Sequence, residues 1–401
     1  MKTAISYFVC SILLLTGSLR GLGQQDSIHR SGDTTQRQRI AVFVPLFLDS
    51  AFDASANYRY EKNFPKFFNP GLEFYEGVQL AIDSLQSKNL ALDVAVYDTR
   101  SATQSIAQAA ASPDFQSTGL IIAEVNATDM HQLADIALQK NIPFINVNFP
   151  NDGGITNNHE FVILNSTLKT HCEGIYKFVQ RNYPSYNLLF FGKRGVQEDR
   201  LKNYFLDFEK NTSSIPLKLR YIQLDDRVSP EQVISYMDSS RKNLCIVASL
   251  DENFSKAVCA AVASVNKSYI SKIFGMPTWD AIVDFSRPEY ADQEIYYTTP
   301  FYVNPADSLV LSIQQNYRNK FYSRPSDMVF RGYETTFRFA QLLQLYGKNI
   351  SGSIGEKKFR VFNDFDIEPV FLNKQNMTLD YFENKKLYYI KKVNGNVVAV
   401  Y

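Results

Sequence analysis

The chain has 401 residues, 45% of them hydrophobic and 21% charged, which is ordinary for globular domains and excludes disorder or coiled coil for its bulk. Lys plus Arg is 42 against Asp plus Glu 41, for a net charge of +1, and so even a balance excludes the basic face that a nucleic-acid binder needs. A chain of this length has room for two domains, each with a core of its own that needs no metal or disulfide.

Residues 1–23 read as an export signal. Met1 and Lys2 precede an apolar run that is too short for a stable span, and Gly21-Leu22-Gly23 suits a peptidase site. Residues 24–38 are polar and read as a leader. No later stretch is apolar enough to cross a bilayer, so the mature chain is expected in the periplasm or secreted. Of its cysteines, Cys172, Cys245 and Cys259 lie beyond the signal. The first expectation is burial as small hydrophobes, with a Cys245–Cys259 disulfide as the alternative.

From residue 40 the pattern alternates. Residues 40–48 (IAVFVPLFL) form the unbroken apolar run of a strand buried on both faces. A helix is predicted over 74–85, a strand over 90–97, and a helix over 103–111. Strand 119–123, helix 129–139 and strand 143–147 follow. The pattern restarts with helix 174–181, strand 186–191, helix 200–209, strand 217–224, helix 230–239, strand 244–249, helix 254–265 and strand 272–274. A third segment holds strand 294–298 and helices 309–321 and 333–346. The tail has short strands at 358–362, 370–372, 387–392 and 397–400, with Asn394-Gly395 as a hairpin turn. Strands alternating with helices imply parallel sheets flanked by helices.

Five segments in order resemble one family: IAVFVPLFLDS at 40–50, FYEGVQLAIDSL at 74–85, VAVYDTRS at 94–101, GLIIAEVNATDMHQLADIALQKNIPFINVN at 119–148, and FRGYETTFRFAQLL at 330–343. Together they resemble the type I periplasmic-binding proteins, in the branch of the branched-chain amino-acid receptors. The resemblance implies an α/β chain of two Rossmann-like lobes joined by three hinge crossovers, with antiparallel strands at the C-terminus. It implies lobe one over 39–148 plus 281–345, and lobe two over 149–280 plus 346–401. The crossovers are then expected near 149–151, 278–284 and 347–350.

The same resemblance places ligand in the cleft at the carboxyl ends of the strands. In amino-acid-binding relatives the loop after the third strand reads roughly Gly-Pro-x-x-Ser and holds the ligand carboxylate. Here the loop is Ala123-Glu124-Val125-Asn126-Ala127-Thr128, in which Thr128 would supply the hydroxyl, while Ala123 and Glu124 depart from the pattern. A carboxylate at the cradle repels an anion, which weighs against simple branched-chain amino acids. Asn126 and Thr128 serve equally as helix caps. Asn146 and Asn148 reach the cleft or cap the hinge. Asp251 holds a ligand ammonium or caps the helix after it. Trp279 stacks on ligand or packs the hinge. Tyr60, Phe64, Phe67 and Phe68 form an aromatic lid or pack beneath a loop.

Catalytic signatures are missing: there is no G-x-S-x-G, H-E-x-x-H or phosphate loop, and the histidines are scattered. No enzyme, cofactor or metal is expected. The leading expectation is an exported solute-binding protein that holds a small polar metabolite for an ABC-type import system. The alternative is an envelope interaction module, like an activator of cell-wall synthases, with no small ligand. An open cleft with convergent polar groups favours the first, and an apolar-filled cleft the second.

Overall fold

The computed structural model describes residues 37–373, 375 and 377–400. The expected export signal, and the leader up to residue 36, lie outside them. No helix among the described residues is long and apolar enough to cross a membrane.

The chain builds two seven-stranded sheets. The first takes β1 (Gln38–Val44), β2 (Leu92–Asp98), β3 (Thr118–Ala123), β4 (Phe144–Asn146) and β5 (Phe161–Ile163). The second takes β6 (Asn187–Gly192), β7 (Arg220–Gln223), β8 (Asn243–Val247), β9 (Ser271–Phe274) and β10 (Glu294–Thr299). The tail then divides. A pair formed by β11 (Ile367–Val370) and β12 (Tyr381–Asn384) extends the first sheet, and a pair formed by β13 (Tyr388–Val393) and β14 (Asn396–Val400) extends the second. The orders are β11-β12-β5-β4-β3-β1-β2 and β14-β13-β10-β9-β8-β6-β7. In each, the first strand of the parallel set lies between the second and the third, so both sheets reverse direction at a switch point. Among these strands, β11–β12, β10–β13 and β13–β14 pair antiparallel and the rest parallel. The β13–β14 turn is the expected hairpin, with Asn394 and Gly395 both at left-handed φ, 51° and 71°.

The apolar runs are buried on both faces. Along β1, Ile40, Val42 and Val44 enter one core while Ala41 and Phe43 enter another. Along β8, Cys245 and Val247 face one side and Leu244 and Ile246 the other. Among the described residues, ten α-helices flank the sheets. In chain order, α1 (Leu48–Ala51), α2 (Asn69–Gln86), α3 (Ile106–Ala111), α4 (Ala127–Lys140) and α5 (Leu168–Asn182) come first. They are followed by α6 (Val196–Asn211), α7 (Pro230–Ile234), α8 (Glu252–Ser264), α9 (Ser308–Phe321) and α10 (Asp327–Tyr346). Cys172, Cys245 and Cys259 are all buried free thiols, and burial pushes that of Cys245 up to about 12. The small-hydrophobe expectation holds, and the Cys245–Cys259 disulfide is not formed.

The sheet changes correct the expected division of the chain. Residues 149–163 and 346–384, assigned to lobe two, include β5, β11 and β12 of the first sheet. Residues 281–299, assigned to lobe one, include β10 of the second. The chain therefore crosses at 164–167, 300–307 and 385–387, rather than near 149–151, 278–284 and 347–350. The reason is local. The strand β5 has only three residues, too few to show a period, and β12 (YFEN) is half polar. Residues 358–362, expected as a strand, form bends instead.

The glycines of two of the quoted motifs have a shared purpose. Helices α2 and α10 cross where Gly77 faces Val329 and Tyr333, and Gly332 faces Phe74 and Val78. A Cβ on either glycine meets the backbone of the other helix at overlap distance. Gly332→Ala is therefore expected to destabilise the fold by about 3 kcal/mol, since neither backbone can yield. Urea unfolding checks this, and a loss within a few tenths of a kcal/mol contradicts it.

Candidate functional site

A cleft of about 710 Å³ lies between the two sheets. The first sheet's side supplies Pro150–Asp152 after β4, together with Val370–Leu372 and Tyr381. The second supplies Gln197, Arg200 and Tyr204 of α6, Leu250 after β8, and Pro277, Thr278 and Asp280 after β9. The crossings form its floor: Asn165–Thr167, Thr299 and Pro300, Glu383 and Lys385, with Arg331 of α10 beside them.

Most charged groups on the floor are already partnered. The carboxylate of Glu383 accepts the Thr167 backbone N–H at 2.8 Å and the Thr170 hydroxyl at 2.6 Å. It thus places a negative charge at the N-terminus of α5, where an external anion would otherwise be attracted, and its other oxygen pairs with Lys385. Asp152 accepts from the Tyr381 hydroxyl at 2.9 Å, and Asp280 from that of Tyr297 at 2.8 Å. The Arg200 Nε donates to the Tyr204 hydroxyl at 2.6 Å. His171, on α5, shares a hydrogen bond of 2.7 Å with Thr298. Complete burial pushes its pKa down to about 3, so it lines the cleft as a neutral ring.

None of the six sequence-predicted site residues is among those lining this cleft. Asn126 caps α4 by accepting from the Asp129 N–H at 2.9 Å, and Thr128 is exposed on the first turn. Asn146 is fully buried and closes a local turn, donating to the Phe149 carbonyl at 2.9 Å. Asn148 is tied to the 123–128 loop through the Val125 N–H and carbonyl. Asp251 caps α8 through the Phe254 N–H and pairs with Lys193 at 2.7 Å, two contacts that hold its pKa below the usual carboxylate range. Trp279 is fully buried over Gly275 and against Phe285, in the core of the second lobe. Their immediate neighbours do line the cleft: Leu250 beside Asp251, and Thr278 and Asp280 beside Trp279. Phe68 is packed beneath its loop, while Phe64 and Phe67 remain about half exposed, at 51% and 48%.

Sequence reasoning passed over Arg331, Thr298 and Glu383. Arg331 lay ahead of the helix expected from 333, which in fact begins at Asp327; Thr298 lay inside a strand, where periodicity reads only burial; and Glu383 belonged to an unrecognised strand. His171 lies ahead of the helix expected from 174, whereas α5 already begins at Leu168.

The 123–128 loop is closed on itself. Glu124 is 7% exposed, and its Oε1 accepts from Asn148 at 2.8 Å. Burial raises its pKa to about 7, Arg100 opposing and Asp129 adding to the rise. Arg100 is itself paired with Asp129. The carboxylate that weighed against an anion in this cradle is thus held inward.

No protein-family profile matches the chain, and no curated protein matches it in sequence. Solved structures do share its fold. A Rhodospirillum rubrum protein assigned to a branched-chain amino acid ABC transporter is 12% identical with a TM-score of 0.67, the match covering 91% of this chain and 100% of that one. A periplasmic ligand-binding protein of a branched-chain amino acid ABC transporter from Burkholderia xenovorans is 13% identical with a TM-score of 0.59, covering 91% and 95%. An ABC transporter substrate-binding protein from Desulfitobacterium hafniense, in complex with Leu, is 12% identical with a TM-score of 0.57, covering 91% and 100%. The chain has the two-lobed type I periplasmic-binding-protein fold.

Glu124 sets a pH dependence. Its folded pKa is raised above the ordinary glutamate value of 4.5, so the folded state binds the proton more tightly. Stability is then greatest below pH 4.5 as far as this group is concerned, and falls as pH rises to about 7. Glu124→Gln removes this dependence, and the difference between variant and parent should grow by up to ~3 kcal/mol across that window. Unfolding curves at several pH values read it, and parallel profiles for the two proteins refute it.

Proposed function

We propose that the chain is an exported solute-binding protein, holding a small polar ligand between its lobes for an ABC-type import system. The observation that supports this most is the cleft itself. Its volume of about 710 Å³ falls in the range of roughly 300–1,000 Å³ typical of small-molecule sites. It is lined from both sheets and from the crossings, so a ligand there touches both lobes and stabilises their closure. The named structures support the reading by fold alone. Export rests on residues 1–23, and delivery to a membrane partner rests on the fold's resemblance.

The alternative, an envelope interaction module with no small ligand, requires a filled cleft. Here apolar Leu168, Leu250 and Phe371 alternate with polar Asn165, Thr298 and Arg331 around an open space, and this supports the first reading. Nor does the cleft read as a reaction centre. His171 is neutral and engaged, and the described residues hold no His, Cys, Asp and Glu cluster fit for a metal.

Two measurements test the proposal. Native mass spectrometry of the protein as purified should reveal a retained small molecule. Adding that molecule back to stripped protein at 100 times its dissociation constant should stabilise folding by about 2.7 kcal/mol and shrink the radius of gyration in solution scattering. Protein that carries nothing, and that no metabolite library stabilises, defeats the reading.

A further inference from the structure

This inference rests on the solute-binding reading and names the chemistry of the ligand. Arg331 lies one turn into α10 and lines both the cleft and a smaller cavity of about 200 Å³ behind it. Its guanidinium is stacked over Phe301 of the second crossing, 4.1 Å from the ring centroid. Stacking uses the flat face of the fork and leaves the in-plane N–H groups free. Nε is buried without a hydrogen-bond partner, and no ion pair reaches the guanidinium among the described residues.

Two carboxylates are close enough to act on it. Asp327 stands four residues earlier on α10, the favourable order for an acid–base pair on a helix, and Asp280 lies across the throat. Their fields oppose the cost of burying the charge, yet neither closes on the guanidinium. Asp280 is already engaged by the Tyr297 hydroxyl. A partly buried guanidinium with unmade hydrogen bonds is costly, whereas Lys169 and Arg200, the other cations lining the cleft without a carboxylate partner, are exposed to solvent. The other anion sites near the crossings are engaged. Glu383 sets its own negative charge at the N-terminus of α5, Lys385 is paired with Glu383, and the 123–128 loop is closed around Glu124.

We propose that Arg331 is the anion anchor of the cleft, gripping a carboxylate of the ligand through its in-plane N–H groups. The ligand is then a small organic carboxylate, entering with its charged end toward the hinge and its remaining body against Leu250 and Phe371. Because Phe301 belongs to a crossing, a grip on Arg331 also fixes the segment about which the lobes turn.

The test compares acids with their amides on the full mature chain. Probes are acetate and acetamide, L-leucine and L-leucinamide, succinate and L-glutamate, read by calorimetry and thermal shift. At least one carboxylate should bind, and its amide should bind about tenfold more weakly or worse. Arg331→Gln should lose affinity by a similar factor with its ligand-free melting temperature nearly unchanged, and Arg331→Lys should recover only part, since it keeps the charge and loses the fork. An amide that binds as well as its acid overturns the proposal. So does Arg331→Gln that melts earlier yet binds as before, which would leave Arg331 a structural role only. Should Arg331→Gln fail to fold, the acid–amide comparison decides by itself. If no probe binds and the purified protein carries no small molecule, the solute-binding reading falls and this inference with it. A neutral ligand bound equally by both proteins removes only the anchor.

Discussion

Two wound sheets can share one chain only if the segments crossing between them keep their backbone groups satisfied away from any strand ladder. In this protein Asn384 carries much of that burden. It is fully buried at the end of β12 and uses every polar atom of its side chain. Its Nδ2 donates to the Leu164 carbonyl at 3.2 Å, and its Oδ1 accepts the N–H groups of Asp366 at 3.0 Å and Lys386 at 3.1 Å. Its own carbonyl accepts the Ser166 hydroxyl at 2.6 Å. The first and third crossings are thereby tied side by side. The second joins them through the Tyr302 N–H, which donates to Asn363 at 2.7 Å, and through the Tyr302 ring, tilted against that of Tyr388 with centroids 5.8 Å apart. Position and register of the lobes follow from this bundle, and so does the cleft above it.

The charges in the cleft obey the same economy. A buried carboxylate needs donors, and Glu383 finds them at the N-terminus of α5, where unpaired N–H groups also need an acceptor. That pairing removes the most obvious docking point for an external anion. Glu334 follows the same rule on the hinge side of α10, accepting from the Phe362 and Asn363 N–H groups at 2.9 and 2.6 Å. Both acids build the hinge rather than the binding surface. Polar groups in a cleft are therefore poor guides to binding until their internal partners have been subtracted.

The sequence made the fold legible wherever burial is two-sided and long. The first half of the run at 40–48 became β1, which ends at Val44, the helices around 74–85 and 129–139 became α2 and α4, and Asn394-Gly395 became the hairpin. It concealed the strands that decide connectivity. A three-residue strand such as β5 has no measurable period, and its pairing partner β12 is about 220 residues away, so no local signal links them. Missing both displaced the first and third crossings, and the second moved because β10, though recognised as a strand, joins the second sheet rather than the first. The site fared similarly. Loops after strand ends were found, but within each loop the residue picked, Asp251 or Trp279, was the one that turns inward to cap or to pack. Capping and ligand contact draw on the same residue types, so composition alone does not separate them. Residue types that stand out in a sequence are often those the fold has used for itself, while the groups left over, such as Arg331, look unremarkable within a helical pattern.

That leftover status follows from the geometry of α10. The helix must pass close to α2, which the glycine crossing at Gly77 and Gly332 enforces. With Gly332 turned toward α2, Arg331, its predecessor, is turned about 100° away, toward the crossings and the cleft. The same rotation sets Arg338 into a buried site, where its Nη2 donates to the Glu356 carbonyl at 2.6 Å. Two arginines seven residues apart thus share one flank of the helix, and the chain closes a backbone carbonyl over the second only. Arg338 sits under the 347–356 segment, whereas Arg331 opens on the gap between the lobes, where no stretch of the described chain covers it. The packing that holds the first lobe together is therefore also what presents an arginine at the throat of the cleft.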